Sequence, residues 1–77
     1  MFDNKFTDAI RATFPAFKGE LSQDTTAAEV PGWDSFGHVQ LIFELEDAYG
    51  IQIDAGASLN CPNVGSLYEM IKDKANE

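Results

Sequence analysis

Apolar residues near the N-terminus recur at every fourth position. They are Phe2, Phe6, Ile10 and Phe14. A single apolar stripe with this spacing predicts an amphipathic helix whose phenylalanine side chains face a core. Pro15 and Gly19 interrupt the pattern, so we expect the helix to run from about Asn4 to Phe14 or Phe17.

The helical pattern is lost over residues 18–33. This stretch contains two glycines, one proline and a cluster of small polar residues, which together predict a long loop. Loops longer than about 12–15 residues are uncommon in compact domains and are often functional. We expect Leu21 and Val30 to anchor this loop to the core.

A second helix is predicted to begin at Asp34 or Ser35, since both residue types favour the N-cap, and to end near Gly50. Its core face is expected to carry His38, Leu41, Ile42, Leu45 and Tyr49. A second face lies around Ser35 and carries Val39, Phe43, Glu46 and Asp47, with Gln40 beside it. That face mixes apolar and acidic side chains, which is unusual for a surface that is merely solvated.

The C-terminal third predicts helical elements and no sheet. Residues 50–54 alternate apolar and polar side chains, but no second strand-like run exists to pair with them. We therefore expect a loop with Ile51 and Ile53 packed inward, followed by one helical turn around Ser58 to Asn60. Asn63 is placed to cap a last helix. The apolar stripe of that helix is Val64, Leu67, Tyr68 and Ile71.

These elements predict an all-α fold, which is a small four-helix bundle with three main helices, one short third helix and a long first loop. The chain of 77 residues is expected to form one domain over residues 1–77. No stretch approaches 18 apolar residues, so no membrane span is expected. The amphipathic N-terminus has no continuous apolar core, so we do not expect a signal peptide.

The charge balance limits the choice of partners. Thirteen acidic residues against five basic ones give a net charge of -8, which repels nucleic acid and anionic membrane surfaces. We expect partners with basic patches, although the acids could also serve only to keep a small protein soluble. The single cysteine, Cys61, allows no internal disulfide and suggests a reducing compartment. We expect a cytoplasmic monomer.

Taken by itself, Ser35 is best explained as a helix cap, since Asp and Ser lead that position. A catalytic serine needs a positioned general base, and the single histidine, His38, lies one turn further along toward the predicted core face. One Cys and one His cannot form a typical zinc site, and the acidic residues are not spaced as a calcium loop. We therefore predict neither an enzyme nor a metal site.

The segment WDSFGHVQLIFELEDAYGIQI, residues 33–53, resembles the acyl carrier protein family. The matching elements are Asp34-Ser35 followed by the large apolar Phe36, then Val39, Leu41, Ile42 and Leu45-Glu46, and the ending Tyr49-Gly50-Ile51. The chain length, the acidic charge, the long first loop and the terminal amphipathic helix extend the resemblance over nearly all of the chain.

The resemblance implies that Ser35 carries 4′-phosphopantetheine through a phosphodiester on its Oγ. A phosphopantetheinyl transferase that uses coenzyme A and Mg²⁺ would attach it. The placement is physically sound, because a phosphate at a helix N-terminus meets free backbone N–H groups and the positive end of the helix dipole. The thiol at the end of this arm would hold an acyl or aminoacyl group as a thioester.

The resemblance also implies a docking surface for acyl-loading and acyl-transfer enzymes at the point where the arm emerges. The candidate docking residues are Asp34, Phe36, Val39, Gln40, Phe43, Glu46, Asp47 and Ile53. Such contacts should be transient and sensitive to salt. Gln40 stands where many relatives carry an acid, and Gly37 departs from the acid that often follows the Asp-Ser-Leu triplet.

The sequence resembles more than one class of carrier protein. The Phe36-Gly37 pair resembles the D-alanyl carrier proteins of cell-wall teichoic acid modification. The segment PGWDS followed by a histidine resembles discrete carriers of polyketide or non-ribosomal pathways and carriers of small hydroxy acids. Fatty-acid carriers more often read Gly-x-Asp-Ser-Leu-Asp, so we favour a specialised discrete carrier. The alternative of a different class is an unmodified acidic interaction module with the carrier fold.

Overall fold

This computed structural model describes residues 2–76 of the chain. These residues contain four α-helices and one short 3-10 turn, joined by loops. In chain order they are α1 (Asn4–Thr13), the 3-10 turn (Ala27–Glu29), α2 (Ser35–Tyr49), α3 (Ala55–Ser58) and α4 (Val64–Ala75). No β-strand occurs within residues 2–76. The prediction of an all-α fold with three main helices and one short third helix is therefore confirmed.

Each helix begins after a side chain that accepts a hydrogen bond from the first turn. These N-caps are Asp3 for α1, Asp34 for α2, Asp54 for α3 and Asn63 for α4. Helix α2 ends at Gly50, whose φ of 67° is the left-handed conformation that glycine adopts without strain. The predicted starts of α2 and α4 are confirmed, as is the predicted end of α2.

The position predicted for the short helix was wrong. A turn was expected around Ser58 to Asn60, whereas α3 spans Ala55–Ser58. The reason is local, because the Asp54 carboxylate accepts hydrogen bonds from the N–H groups of Gly56 and Ala57 and so starts the helix earlier.

The core is formed by one face of each long helix together with parts of the first loop. Its buried apolar side chains are Phe6, Ala9, Ile10, Phe14, Phe17, Val30, Leu41, Ile42, Leu45, Val64, Leu67 and Ile71. Ile51 and Ile53 pack against this core from the segment after α2, as predicted. Tyr49, which was expected on the core face, is only half-buried, because its hydroxyl reaches out to the Asp3 carboxylate.

The first loop is held against the start of α4. The N–H groups of Val64 and Gly65 donate to the carbonyls of Thr25 and Gln23, at 2.8 and 3.0 Å. These are donors of the first helical turn, which have no acceptor within their own helix. A Cβ at Gly65 would lie 2.9 Å from the Gln23 carbonyl oxygen, so glycine is what permits the loop to approach this closely.

The end of the same loop packs on the first turn of α2. Trp33 stacks on Phe14 with ring centroids 5.0 Å apart and planes 16° apart. Gly32 turns the chain with a φ of 90°, and a Cβ at Gly37 would lie only 2.3 Å from the Gly32 carbonyl oxygen. The Gly37 position is therefore fixed by contact with the loop, and Trp33 anchors the end of the loop on the bundle.

Candidate functional site

Ser35 is the first residue of α2, and its side chain is exposed. Asp34 supplies the N-cap instead, because its carboxylate accepts a hydrogen bond of 2.8 Å from the Gly37 N–H. The Asp34 carbonyl also accepts from the His38 N–H at 2.8 Å. The Ser35 hydroxyl makes no hydrogen bond to any of residues 2–76, so no capping contact would be lost if this oxygen were esterified.

The first turn of α2 suits an anion next to Ser35. The N–H groups of Ser35 and Phe36 belong to that turn and have no acceptor within the helix. The positive end of the helix dipole lies at the same place. A phosphate ester on the Ser35 oxygen would therefore meet backbone donors, and the residues present fit such a group.

A cleft of about 260 Å³ opens beside Ser35. It lies between the first turn of α2, α3 with the segment that follows it, and the start of α4. The lining residues are Ala27, Trp33, Asp34, Ser35, His38, Ser58, Leu59, Cys61, Pro62, Asn63, Val64 and Leu67. The lining passes from exposed side chains such as Ser35 to the buried Val64 and Leu67, so the cleft leads from the helix start toward the core.

One side of this cleft is a chain of three hydrogen bonds. The Trp33 Nε1–H donates to His38 Nδ1 at 3.0 Å, and His38 Nε2 lies 2.7 Å from Ser58 Oγ. The Ser58 hydroxyl in turn donates to the Ala55 carbonyl at 2.6 Å. An indole N–H can only donate, so His38 Nδ1 must accept. The imidazole is therefore neutral and donates from Nε2 to Ser58.

This arrangement excludes His38 as a general base for Ser35. Both ring nitrogens are engaged, one by Trp33 and the other by Ser58. Burial lowers the pKa of the His38 imidazole, which favours the neutral form already required by the hydrogen bonds. The expectation of a partly buried histidine on the core face agrees with its exposed fraction of 7%.

Neither the cysteine thiol nor a group of metal-binding side chains adds a reactive site among residues 2–76. Cys61 lines the same cleft, and burial raises the pKa of its thiol, so the unreactive protonated form is favoured. Among residues 2–76, no three His, Cys, Asp or Glu side chains are grouped so that they could hold a metal ion.

The outer face of α2 presents large apolar side chains next to Ser35. Phe36 is 72% exposed, Phe43 64% and Val39 41%. Gln40 and Asp47 are exposed on the same side of the helix. The structure therefore brings most of the predicted docking residues together on one surface that starts at the helix N-terminus.

Two of the predicted docking residues have a structural contact with each other. The Ile53 N–H donates to the Glu46 carboxylate at 2.7 Å, and both residues are half-buried. Glu46 therefore holds the segment that follows α2, whereas Asp47 is fully on the surface. Their place in docking stays a prediction.

Three residues of this region were not predicted from the sequence. Ser58 is buried with an exposed fraction of 1% and completes the hydrogen bonds of His38. Leu59 is a large exposed apolar side chain on the other side of the cleft. Glu44 is an exposed acid beside Phe43. The signal for Ser58 was indirect, because a buried histidine needs hydrogen-bond partners, but the sequence did not show which residue supplies one.

A family model described as a phosphopantetheine attachment site matches residues 18–71 of the chain. That range includes Ser35, the exposed apolar residues of α2 and every residue that lines the cleft. The chain belongs to this family. A curated acyl carrier protein of Lactobacillus johnsonii is similar, with 29% identity over 73 residues that cover 95% of this chain and 91% of that protein.

A solved structure agrees with the family. The solution NMR structure of a holo acyl carrier protein from Geobacter metallireducens is similar with a TM-score of 0.81 and 31% identity. The match covers 92% of this chain and 82% of that one. The resemblance to acyl carrier proteins and the helical bundle predicted from the helix patterns are therefore confirmed.

The family determines what kind of protein this is. Acyl carrier proteins are carriers and not enzymes, and their cofactor is a covalently bound 4′-phosphopantetheine. A carrier of this kind interacts with the transferase that attaches the arm and with enzymes that use it. None of the helices within residues 2–76 is long and apolar enough to cross a membrane.

Proposed function

We propose that Ser35 is the attachment point of the 4′-phosphopantetheine arm and that residues 1–77 form one carrier domain. The observation that carries this proposal is the exposed Ser35 hydroxyl, which is free of capping contacts at the first position of α2. When bound, the arm supplies a terminal thiol that holds an acyl or aminoacyl group as a thioester.

The residues around Ser35 have separate parts in this function. Asp34 fixes the start of α2 and so positions the Ser35 oxygen. The N–H groups of the first turn stabilise the charge of the phosphodiester. Phe36, Val39 and Phe43 offer apolar contact to a partner enzyme, because all three are exposed on one helix face. Asp47 adds negative charge beside them and steers a basic partner during encounter.

The cargo belongs to a specialised pathway in this proposal, with a D-alanyl group as one candidate and a polyketide, non-ribosomal or hydroxy acid building block as the others. The structure gives Gly37 a packing role against Gly32. Gly37 therefore has a local cause, so the Phe36-Gly37 pair supports the D-alanyl candidate less than the sequence alone suggests. We place the carrier in the cytoplasm as a monomer.

The attachment is tested by mass spectrometry of the intact protein. The chain is incubated with coenzyme A, Mg²⁺ and a phosphopantetheinyl transferase of broad specificity. We expect a gain of one phosphopantetheine group in the wild type and none in Ser35→Ala. Ser22→Ala is the matched control, because it removes an exposed serine from the loop and should be modified as the wild type is.

The same experiment separates the carrier from the unmodified interaction module. If the folded wild type gains no group with two different transferases, Ser35 is not an attachment point and the module is the better proposal. If Ser35→Ala is still modified, another hydroxyl carries the arm.

A further inference from the structure

Helix α3 is short and is tied to α2 by side-chain hydrogen bonds. It has four residues, Ala55–Ser58, and the segment before it is joined to α2 by the bond from the Ile53 N–H to Glu46. At its other end the Ser58 hydroxyl meets His38 Nε2 at 2.7 Å. Helices of this length are not stable by themselves, so the position of α3 depends on these contacts.

The hydrogen bond between His38 and Ser58 is buried, and both residues use their other polar atoms in further hydrogen bonds. Ser58 is 1% exposed and His38 7%. Because Trp33 occupies His38 Nδ1 and Ser58 donates to Ala55, the Nε2–H of His38 has one acceptor only. No buried side-chain nitrogen or oxygen among residues 2–76 is left without a partner. Separation of α3 from α2 would break this complete set and leave buried polar groups unpaired.

The same residues form one side of the cleft beside Ser35. Trp33, His38 and Ser58 all line it. The width of the cleft between α2 and α3 is therefore set by the distance across the His38–Ser58 bond. Its volume of about 260 Å³ is below the range of about 300–1,000 Å³ of clefts that bury drug-sized ligands.

We propose that His38 is a positioning residue that latches α3 onto α2 and thereby limits the cleft to short acyl or aminoacyl groups. The proposal rests on the proposed function, in which Ser35 carries the arm, and it places the cargo of that arm in the cleft that Ser35 lines. A short cargo of the size of an alanyl group fits while the latch is closed. A long alkyl chain needs a wider cleft and therefore has to break the bond between His38 and Ser58.

The latch is tested first on the unmodified protein, where no cargo is needed. In Ser58→Ala, the N–H groups of Leu59 and Asn60, which bond within the α3 turn, should exchange with solvent at least about tenfold faster. That factor is the size expected when a buried polar group loses its partner. Ser66→Ala is the matched control, because it removes a hydroxyl of α4 that bonds to the N-cap residue Asn63, and it should leave α3 unchanged.

Substitutions of His38 separate hydrogen bonding from packing. His38→Gln keeps one donor and one acceptor, whereas His38→Phe keeps a ring and loses both nitrogens. We expect His38→Gln to retain much of the protection of α3 and His38→Phe to lose it as Ser58→Ala does. The sequence has one histidine and one tryptophan, so nitrogen NMR of the imidazole and the indole N–H resonance of Trp33 report on the chain of bonds directly. Unchanged exchange in folded Ser58→Ala and His38→Phe would overturn the latch.

The size limit is tested with cargo of increasing length. Acetyl, butyryl, octanoyl and dodecanoyl arms are attached from the corresponding acyl-coenzyme A, and hydroxylamine cleavage of each thioester is timed. In the wild type only the short thioesters should be cleaved more slowly than free acyl-pantetheine. In Ser58→Ala the protection should extend to the long ones. Equal protection of butyryl and dodecanoyl groups in the wild type would contradict the limit.

The two proposals fail in different ways. If no acyl group can be attached, the proposed function fails and the size limit fails with it, but the exchange rates of the unmodified variants still decide whether the latch exists. If attachment succeeds and protection is independent of Ser58, the carrier function stands and the latch as a size limit does not.

Discussion

Gly37 occupies a position where a single methyl group has no room. Its Cβ would lie 2.3 Å from the Gly32 carbonyl oxygen and 2.9 Å from the Phe14 ring. Helix propensity alone predicts that Gly37→Ala stabilises α2 by roughly 1 kcal/mol. The close contact predicts the opposite sign, because the methyl group must displace either the loop backbone or a core ring.

We expect Gly37→Ala to lower the free energy of unfolding by about 1–3 kcal/mol, the usual range for overpacking. Chemical denaturation of the unmodified protein measures it. Gln40→Ala, at an exposed site on the same helix, should change stability little. A more stable Gly37→Ala would show that the loop yields without strain and that the glycine has another cause.

His38 makes the folded state sensitive to mild acid. Burial lowers the pKa of His38 from its usual 6.5, and a second proton on Nδ1 would displace the Trp33 N–H. The unfolded chain therefore takes up this proton more readily than the folded one. Stability is fully present above the unfolded pKa and is lost as the pH falls from about 6.5 through the lower folded pKa.

This pH dependence can be assigned to one group. Denaturation midpoints between pH 7.5 and 5 should fall in the wild type and much less in His38→Gln, which cannot take up a proton. The other titratable residues that line the cleft with His38 are Asp34 and Cys61, while Val64 and Leu67, which also line it, carry no charge. Equal slopes in the two proteins would assign the loss to other groups.

At the scale of secondary-structure elements, the sequence was informative wherever a cap and an apolar stripe coincided. Asn63 and the stripe that follows it defined α4, and Asp34 with Gly50 defined both ends of α2. α3 was misplaced because four residues contain no helical period, so that only the Asp54 cap marks it. The stripe of α2 also showed which of its residues would be exposed.

The contacts between helices and loops could not be predicted from the pattern of apolar and polar residues. His38 and Ser58 are 20 positions apart, and no periodicity relates a residue on a long helix to one on an adjacent short helix. The same holds for Gly65, which permits the first loop to contact α4 through Gln23. Residue patterns predict which face of an element is buried, whereas the partner on the other side of that face depends on the tertiary fold.

Asp3, near the N-terminus, connects three helices, α1, α2 and α4. Its carboxylate caps α1 through the Phe6 N–H, accepts from the Tyr49 hydroxyl at the end of α2, and pairs with Lys72 of α4 at 3.0 Å. Burial opposes the charge on Asp3, but the hydrogen bonds from Tyr49 and Lys72 outweigh it and hold its pKa below 3.8. The contribution of Asp3 is therefore present above pH 3.8 and is lost as the pH falls through the lower folded pKa.

The loss of an N-cap side chain costs roughly 0.5–2 kcal/mol. Asp3→Ala should lower the free energy of unfolding at pH 7 by at least that amount, because it also removes the contacts with Tyr49 and Lys72. Asp3→Asn keeps a capping oxygen and removes the charge that pairs with Lys72, so we expect a smaller loss. Thermal denaturation of both variants at pH 7 measures the difference. If the two variants were equally destabilised, the charge on Asp3 would account for the whole effect and the cap for none of it.

At the scale of the whole molecule, the net charge of -8 acts on every partner. A general field attracts any basic surface, but it does not select one face of the protein. Local charge on a docking surface adds to that field only where the partner approaches. The two contributions can be separated by moving the same change of charge between faces.

Asp47→Lys and Asp73→Lys form such a pair. Both residues are exposed acids, one beside the apolar face of α2 and the other on α4, and both substitutions raise the net charge equally. If partners dock on the face around Ser35, Asp47→Lys should lower the association rate with the phosphopantetheinyl transferase by roughly threefold to tenfold at low salt, and Asp73→Lys by much less. Stopped-flow association at increasing salt measures both rates, and the difference between the variants should shrink as the Debye length falls below about 8 Å.

Equal rates for the two variants at low salt would mean that the overall charge attracts the partner and that the docking surface lies elsewhere. A larger effect at Asp73 would place it on α4.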